Sequence, residues 1–208
     1  MMNEADAQQF NYACARFHAG DYSEALDKLL ELATRISDPW DSAELLYNEA
    51  LFLLEMGRVA EARQRVSDLD KALMLVAKAP IDGDEFDAPV SLPVMAKHAD
   101  LKVTIKEGKK LEAVRLIEDL IFSYPKQLAL PQFRTMFEEV KTLRGLLLAE
   151  LCRWDEAKSF LEDATPPEVW RNYHSYYLGW CYYELGDIQN ARERLLEAIN
   201  LGLSTWGS

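Results

Sequence analysis

The sequence predicts an all-α fold made of about five antiparallel helix-turn-helix repeats, and three recurrent positions carry this prediction. A turn residue opens each of five similar stretches, at Gly20, Gly57, Gly108, Cys152 and Gly186. Five residues later each stretch has alanine, at Ala25, Ala62, Ala113, Ala157 and Ala191. Nine residues after the turn comes a larger apolar residue, at Leu29, Val66, Ile117, Leu161 and Leu195. Offsets that hold in five stretches indicate one structural unit repeated along the chain.

Each recurrent position has a physical reason. Glycine adopts the left-handed conformation that ends a helix, and Asp21 or Asp187 can then begin the next helix. The alanine lets two helices approach closely. The helix before each turn also has a small residue seven positions before the turn in four of the five copies: Ala13, Ala50, Gly145 and Gly179. The exception is Leu101, before Gly108. Each unit is therefore predicted to be two antiparallel helices that cross at small residues.

The repeated stretches resemble those of tetratricopeptide repeat (TPR) proteins. The best copy is YYLGWCYYELGDIQNARERLLEAI, and the next is NYACARFHAGDYSEALDKLLEL. The resemblance covers most of the chain and implies a right-handed α-solenoid. The chain departs from the family at the large aromatic residue early in the first helix, which is replaced by Gln9, Leu46, Lys97, Lys141 and Ser175.

The turn spacing predicts the domain organisation. Successive turns lie 37, 51, 44 and 34 residues apart, against about 34 in an uninterrupted array. We expect a single domain over residues 1–208, with an acidic insertion at residues 80–93. The predicted repeats cover about residues 6–39, 42–79, 94–127, 132–165 and 168–202.

Composition and charge restrict the classes of function. The 208 residues carry a formal net charge of −12, which makes nucleic acid and anionic membranes poor partners. No apolar run is long enough to span a bilayer, and the N-terminal segment lacks the pattern of a signal peptide. The three cysteines form neither a disulfide framework nor a zinc-spaced cluster, which favours a cytoplasmic protein.

No motif predicts an enzyme, a cofactor or a metal site. The sequence has no phosphate-binding glycine loop, nucleophile elbow, or paired HExxH or CxxC motif. Cys14 and His18 lie four residues apart, but two ligands alone do not make a zinc site. The run DGDEFD from Asp82 lacks the glycine and glutamate that a calcium-binding loop requires. We therefore expect a protein that is not an enzyme.

The resemblance implies a partner-binding surface. In TPR proteins the first helices of the repeats line a concave groove that receives a peptide or a helix. The groove-facing positions lie 13, 10, 6, 3 and 2 residues before each turn. The candidate partner-binding residues at these positions are Phe10, Tyr47, His98, Lys102, Lys106, Tyr173, Tyr176, Trp180 and Tyr183.

The last repeat has the clearest candidate site. Its aromatic residues Tyr173, Tyr176, Trp180 and Tyr183 follow a 3-4-3 spacing, which places them on one stripe of a helix. Burial in the protein core is the alternative interpretation. A second stripe, containing Leu178 and Tyr182, already accounts for packing against the neighbouring helix, so four aromatic residues on the first stripe favour a ligand surface.

A basic region offers a second candidate site. Residues 94–137 carry eight bases and five acids, a local charge of +3. Lys102 and Lys106 are predicted to face the groove and to receive an acidic segment or a terminal carboxylate. The alternative interpretation is that they are ordinary solvated lysines. The acidic insertion could also fold onto this region and shield it.

We therefore predict a non-catalytic protein–protein interaction module that binds a peptide or helix with acidic and apolar residues in its concave groove. One alternative is a scaffold that self-associates through its C-terminal helix, using Leu195, Ile199, Leu201, Leu203 and Trp206. Another is the interaction domain of a larger protein.

Overall fold

The described part of the protein is helical, with no strand among its residues. The computed structural model describes the backbone of residues 2–76 and 88–205, and the side chains of residues 2–76 and 91–202. The α-helices in this part are α1 (Glu4–His18), α2 (Tyr22–Ala33), α3 (Pro39–Glu55), α4 (Val59–Val76), α5 (Ala88–Lys106), α6 (Lys110–Ser123), α7 (Pro125–Leu128), α8 (Arg134–Glu150), α9 (Trp154–Asp163), α10 (Arg171–Glu184) and α11 (Ile188–Thr205). Short 3₁₀ helices at Pro131–Phe133 and Glu168–Trp170 precede α8 and α10. The predicted all-α fold is confirmed.

The five predicted turns share one backbone geometry. The four turn glycines have φ between 73° and 85°, and Cys152 has φ 59°. The residue after each turn donates its N–H to the carbonyl five residues earlier, as in Arg58 N to Leu53 O at 2.8 Å and Arg153 N to Leu148 O at 2.9 Å. This bond satisfies a carbonyl at the end of the helix and fixes the direction of the next one.

The two predicted helix caps differ from each other. The Asp187 carboxylate accepts the N–H of Asn190 at 3.2 Å and so caps α11. Asp21 makes no such cap. Its carboxylate lies 2.5 Å from the Arg16 guanidinium instead, because the cation at the end of α1 competes for it. Both aspartates directly precede the next helix, as predicted, but only Asp187 caps its helix with the side chain.

The recurrent small and apolar residues form the contacts between paired helices. The five alanines after the turns are buried, and so are Leu29, Val66, Ile117 and Leu161. The two helical glycines lie where helices touch: a Cβ built on Gly145 would come within 2.5 Å of Leu161 Cγ, and one on Gly179 within 2.9 Å of Leu195 Cγ. The small residues therefore set the helix separation, as the pattern predicts.

The chain divides into two compact units, Met1–Lys109 and Lys110–Ser208. The first unit contains α1 to α5, and the second contains α6 to α11. The two helices of the third predicted hairpin therefore fall in different units. The expectation of one domain over residues 1–208 stays a prediction.

The predicted insertions are partly helical. Helix α5 begins at Ala88 and contains Pro93, so residues 88–93 of the predicted insertion belong to the first helix of the third hairpin. Residues 80–87 of the acidic insertion lie outside the described part of the chain. The extra residues between the third and fourth turns form α7 and the 3₁₀ helix at Pro131–Phe133.

In the first unit, α5 packs across both α3 and α4. Arg63 of α4 holds α5 in place with its guanidinium, which donates to Asp100, to Glu107 at 2.9 Å and to the Thr104 hydroxyl at 2.9 Å. Hydrogen bonds from Arg63 and Lys109 lower the pKa of Glu107 to about 2. Two carboxylates seven residues apart, at the C-terminal end of α5 and directly after it, thus bind a single arginine of the neighbouring helix.

Candidate functional site

The aromatic stripe of the last repeat lies on α10, and most of it is exposed. Tyr173, Tyr176 and Tyr183 expose 53%, 47% and 59% of their surface. The opposite side of α10 is buried and includes Leu178 and Cys181. The core of the second unit therefore uses one side of this helix and leaves the tyrosine side on the surface.

Trp180 differs from the three tyrosines because it is half-buried. Its ring lies 5.2 Å from that of Trp154 at the start of α9, and its indole N–H donates to Glu184 at 3.0 Å. Trp180 therefore packs against α9 beneath the surface, whereas Tyr173 and Tyr176 are exposed to solvent.

A groove of about 510 Å³ opens between α10 and α11 beside Tyr173 and Tyr176. We call it the α10–α11 groove. Its lining residues are Asn172, Tyr173, Tyr176, Tyr177, Leu195, Ala198 and Ile199. The lining is aromatic and aliphatic apart from Asn172 and the tyrosine hydroxyls, which suits an apolar side chain of a partner.

A hydrogen-bonded tyrosine holds one wall of the α10–α11 groove. The Tyr177 hydroxyl donates to Glu150 of α8 at 2.5 Å, and Lys110 lies 3.1 Å from the other oxygen of that carboxylate. Burial raises the pKa of Tyr177, and the hydrogen bond to Glu150 raises it further. The phenol is therefore fixed in its neutral form at physiological pH.

The titratable groups buried under this surface have structural partners. Burial raises the pKa of the Cys181 thiol to about 11, so the thiolate nucleophile is not available near neutral pH. The pKa of His174 is lowered, mainly by burial, and its Nε2 lies 2.7 Å from the Leu161 carbonyl oxygen. A neutral imidazole that donates to this carbonyl joins α10 to α9. The arrangement can bind a partner, and its buried groups serve packing.

The structure buries two of the predicted groove residues, Tyr47 and His98. They expose 8% and 4% of their surface, and the Tyr47 hydroxyl lies 3.0 Å from His98 Nδ1. Because α5 packs across α3, the two side chains contact each other there. They are not accessible to a ligand in this structure, contrary to the expectation that they line an open groove.

The other predicted residues of the first unit vary in exposure. Phe10 of α1 is half-buried, Lys102 of α5 is half-buried, and Lys106 at the end of α5 is exposed. The stripe from His98 to Lys106 thus changes from buried to exposed along α5. The proposed role of Lys102 and Lys106 in receiving an acidic segment stays a prediction.

Sequence reasoning missed two aromatic residues of this surface, Trp154 and Tyr177. Trp154 follows the fourth turn by two residues, and its contact with Trp180 joins α9 to α10. Tyr177 lies beside the stripe, outside the 3-4-3 spacing that picked out the others. Leu195 and Ile199 were singled out for self-association, and the structure places both in the α10–α11 groove.

No group of three or more potential metal ligands occurs among the described residues. In the same part of the chain, no helix combines the length and the apolar character that crossing a bilayer requires.

Comparisons with known proteins agree with this fold. Residues 175–201 match the family profile of the tetratricopeptide repeat. Among solved structures, MamA from Desulfovibrio magneticus RS-1 has a TM-score of 0.59 and 19% identity, over 98% of each chain. The thermophilic TPR protein TTC0263 of Thermus thermophilus has a TM-score of 0.55 and 19% identity, over 94% of this chain and 91% of that one. No curated protein sequence matches the chain significantly.

One further similar structure contains a bound peptide. Bacillus thuringiensis PlcR, solved in complex with the peptide PapR7 and DNA, has a TM-score of 0.62 and 14% identity, over 97% of this chain and 73% of that one. Residues 175–201 therefore match a TPR repeat, and the fold of the chain is similar to the helical repeat fold of these structures. The predicted resemblance to TPR proteins is confirmed.

Proposed function

We propose that this protein is a non-catalytic interaction module that binds a peptide or helix of a partner protein at the tyrosine side of α10. The observation that carries the proposal is the exposure of Tyr173 and Tyr176, which line the apolar α10–α11 groove, with Tyr183 exposed on the same helix. Exposed aromatic residues around a groove are typical of protein-binding surfaces, where tyrosine and tryptophan contribute much of the binding energy.

The class of protein supports this function. TPR folds are generally protein-interaction modules, and one structure of the same fold holds a peptide. The absence of a catalytic motif in the sequence agrees with a binding role. We further propose a cytoplasmic location, on the cysteine usage given above.

The proposed partner segment has apolar side chains for the α10–α11 groove. Acidic residues in the partner could also meet Lys102 and Lys106 of the first unit. This second contact is a separate proposal, because those lysines lie on α5. Reversal of both lysine charges is expected to weaken binding of an acidic partner and to flatten its salt dependence.

The experiment selects binding peptides from a displayed library of random 20-residue sequences and measures the affinity of the selected peptides by calorimetry. The variant Tyr173→Ala/Tyr176→Ala is expected to bind them at least about tenfold more weakly, because buried aromatic side chains contribute roughly 2 kcal/mol or more each at such interfaces. Both side chains are exposed, so the variant is expected to fold normally.

Phe122→Ala is the matched control. Phe122 lies on α6 and exposes 86% of its surface, so this variant removes an exposed aromatic ring outside the proposed site. This variant is expected to bind the selected peptides with the same affinity as the unchanged protein. Selected peptides that bind the double tyrosine variant with full affinity would show that the proposed site is wrong.

Self-association through α11 is the second candidate, and one observation favours it. Ile199 and Leu196 of α11 are exposed, which is the type of surface that associates. Light scattering over a concentration series separates the two functions, since a strict monomer excludes self-assembly.

A further inference from the structure

One face of the last hairpin includes the α10–α11 groove. In two other hairpins, the corresponding face is covered by a further helix. We call the face of the last hairpin the terminal face and define it by Tyr176, Arg192, Leu195 and Ile199. Tyr176 lies ten residues before its turn glycine and Leu195 nine residues after it. Tyr47 and Val66 occupy the same two positions around Gly57.

The counterpart in the first unit is covered by a helix. Helix α5 lies across α3 and α4, and Tyr47 and Val66 are both buried. In the second unit α10 likewise lies across α8 and α9, where Leu161 is fully buried. On the terminal face, by contrast, Tyr176 is 47% and Ile199 56% exposed.

The terminal face also has an arginine in the same register as the one that binds the covering helix in the first unit. Arg63, six residues after Gly57, binds Asp100 of α5 and Glu107, the residue directly after α5. Arg192 lies six residues after Gly186, in the same register. Its spacing to Leu195 and Ile199 places all three on one stripe of α11, as Arg63 and Val66 share a stripe of α4. Arg192 is exposed and has no ion pair within the described part of the chain.

We propose that the terminal face binds an amphipathic helix of a partner protein that has an apolar stripe and two carboxylates seven residues apart. The apolar stripe packs on Tyr176, Leu195 and Ile199, and the two carboxylates bind Arg192. Asp100 and Glu107 have this seven-residue separation, which places them two turns apart on one side of a helix. They are already bound to Arg63, so α5 of a second copy cannot supply them while it stays folded.

This inference rests on the proposed function and adds the chemistry of the partner. An arginine suits this role because its planar group can bind two carboxylates at once. Apolar contacts supply area, and the charge contact fixes the direction and register of the helix.

The test uses the displayed library again, with the full chain and its variant Arg192→Glu. Helical peptides selected on the unchanged protein are expected to have acidic residues seven positions apart. They are expected to bind Arg192→Glu at least about tenfold more weakly, because reversal turns two attractive contacts into repulsive ones. Peptides selected on the Arg192→Glu variant are expected to have basic residues, instead of acidic ones, at the two positions seven residues apart.

Lys126→Glu is the matched control, since Lys126 is an exposed base on α7, outside the terminal face. It is expected to leave the affinity unchanged. The inference is wrong if the selected peptides show no acidic preference, or if Arg192→Glu binds them within twofold of the unchanged protein. If Tyr173→Ala/Tyr176→Ala still removes binding in that case, the proposed function stands and only the helix chemistry fails. A dimer of the unchanged protein that Arg192→Glu dissociates would also overturn the inference, because the occupant would then be a second copy.

Discussion

At the scale of single residues, Cys152 shows most clearly how the repeat determines local structure. It has φ 59°, whereas the four other turns place glycine in this left-handed region. The shared offsets in the sequence predict a turn at Cys152 although the residue itself does not favour one. A non-glycine residue in this conformation costs about 1–2 kcal/mol.

The variant Cys152→Gly is expected to raise the free energy of unfolding by about 0.5–1 kcal/mol. Relief of the left-handed conformation stabilises the native state, and the greater freedom of glycine in the unfolded chain offsets part of that gain. Urea denaturation followed by circular dichroism measures the change.

Two controls separate backbone conformation from side-chain chemistry. Cys152→Ser keeps a Cβ and is expected to leave stability nearly unchanged. Gly186→Ala introduces a Cβ at φ 83°, where no atom lies within 4 Å, and is expected to cost about 1 kcal/mol. A Cys152→Gly protein no more stable than Cys152→Ser would contradict the explanation.

Exposure of individual residues could be predicted only in part. The 3-4-3 spacing correctly places Tyr173, Tyr176 and Tyr183 on one side of α10, and the structure exposes them. The same offsets applied to Tyr47 and His98 give buried residues. Spacing defines a side of a helix, but what covers that side depends on helices that are distant in the sequence. Tyr47 of α3 contacts His98 of α5, 51 residues further along the chain.

At the scale of helices, close crossings at small residues hold the hairpins together. Gly145 of α8 contacts Leu161 of α9, and a Cβ there would lie 2.5 Å from Leu161 Cγ. Leu161 is fully buried, so its side chain has little room to move aside.

Gly145→Ala is therefore expected to lower the free energy of unfolding by about 1–2 kcal/mol. Overpacking of a well-packed core costs roughly 1–3 kcal/mol, and the higher helix propensity of alanine returns up to about 1 kcal/mol. Thermal or urea unfolding of the purified variant measures the difference.

Gly202→Ala is the matched control for Gly145→Ala. Gly202 is also helical, but a Cβ there meets no atom of the described residues within 4 Å. This variant is expected to be neutral or to gain up to about 1 kcal/mol from helix propensity. Equal effects of the two substitutions would show that the crossing is looser than the structure indicates.

Contacts between more distant helices were beyond sequence reasoning. Arg63 meets Asp100 and Glu107, which lie 37 and 44 residues away in the sequence. The repeat pattern predicts the helices but does not show which charged residues pair across them. The predicted insertion at residues 80–93 ends at Pro93, yet this residue lies inside α5.

At the scale of the whole molecule, the net charge bears on how the proposed partner is recognised. The chain carries a net charge of −12, which disfavours general attraction to acidic partners. The proposed partner helix is acidic, so its recognition depends on local cations such as Arg192 rather than on the overall charge.

The fold was predictable because five copies of one pattern reinforce each other, whereas the candidate site occurs once. The sequence of α10 shows four aromatic residues with the 3-4-3 spacing, but the groove also needs Leu195 and Ile199 of α11. Pairing of α10 with α11 brings these residues together, and only the structure gives the size of the groove.

Hydrogen exchange with and without a library-selected peptide tests the central claim most directly. We expect slower exchange of backbone amides in residues 171–199 when the peptide is bound, with α1 and α2 unchanged, because α10 and α11 form the proposed site. Slower exchange confined to α1–α5, with residues 171–199 unaffected, would contradict the account.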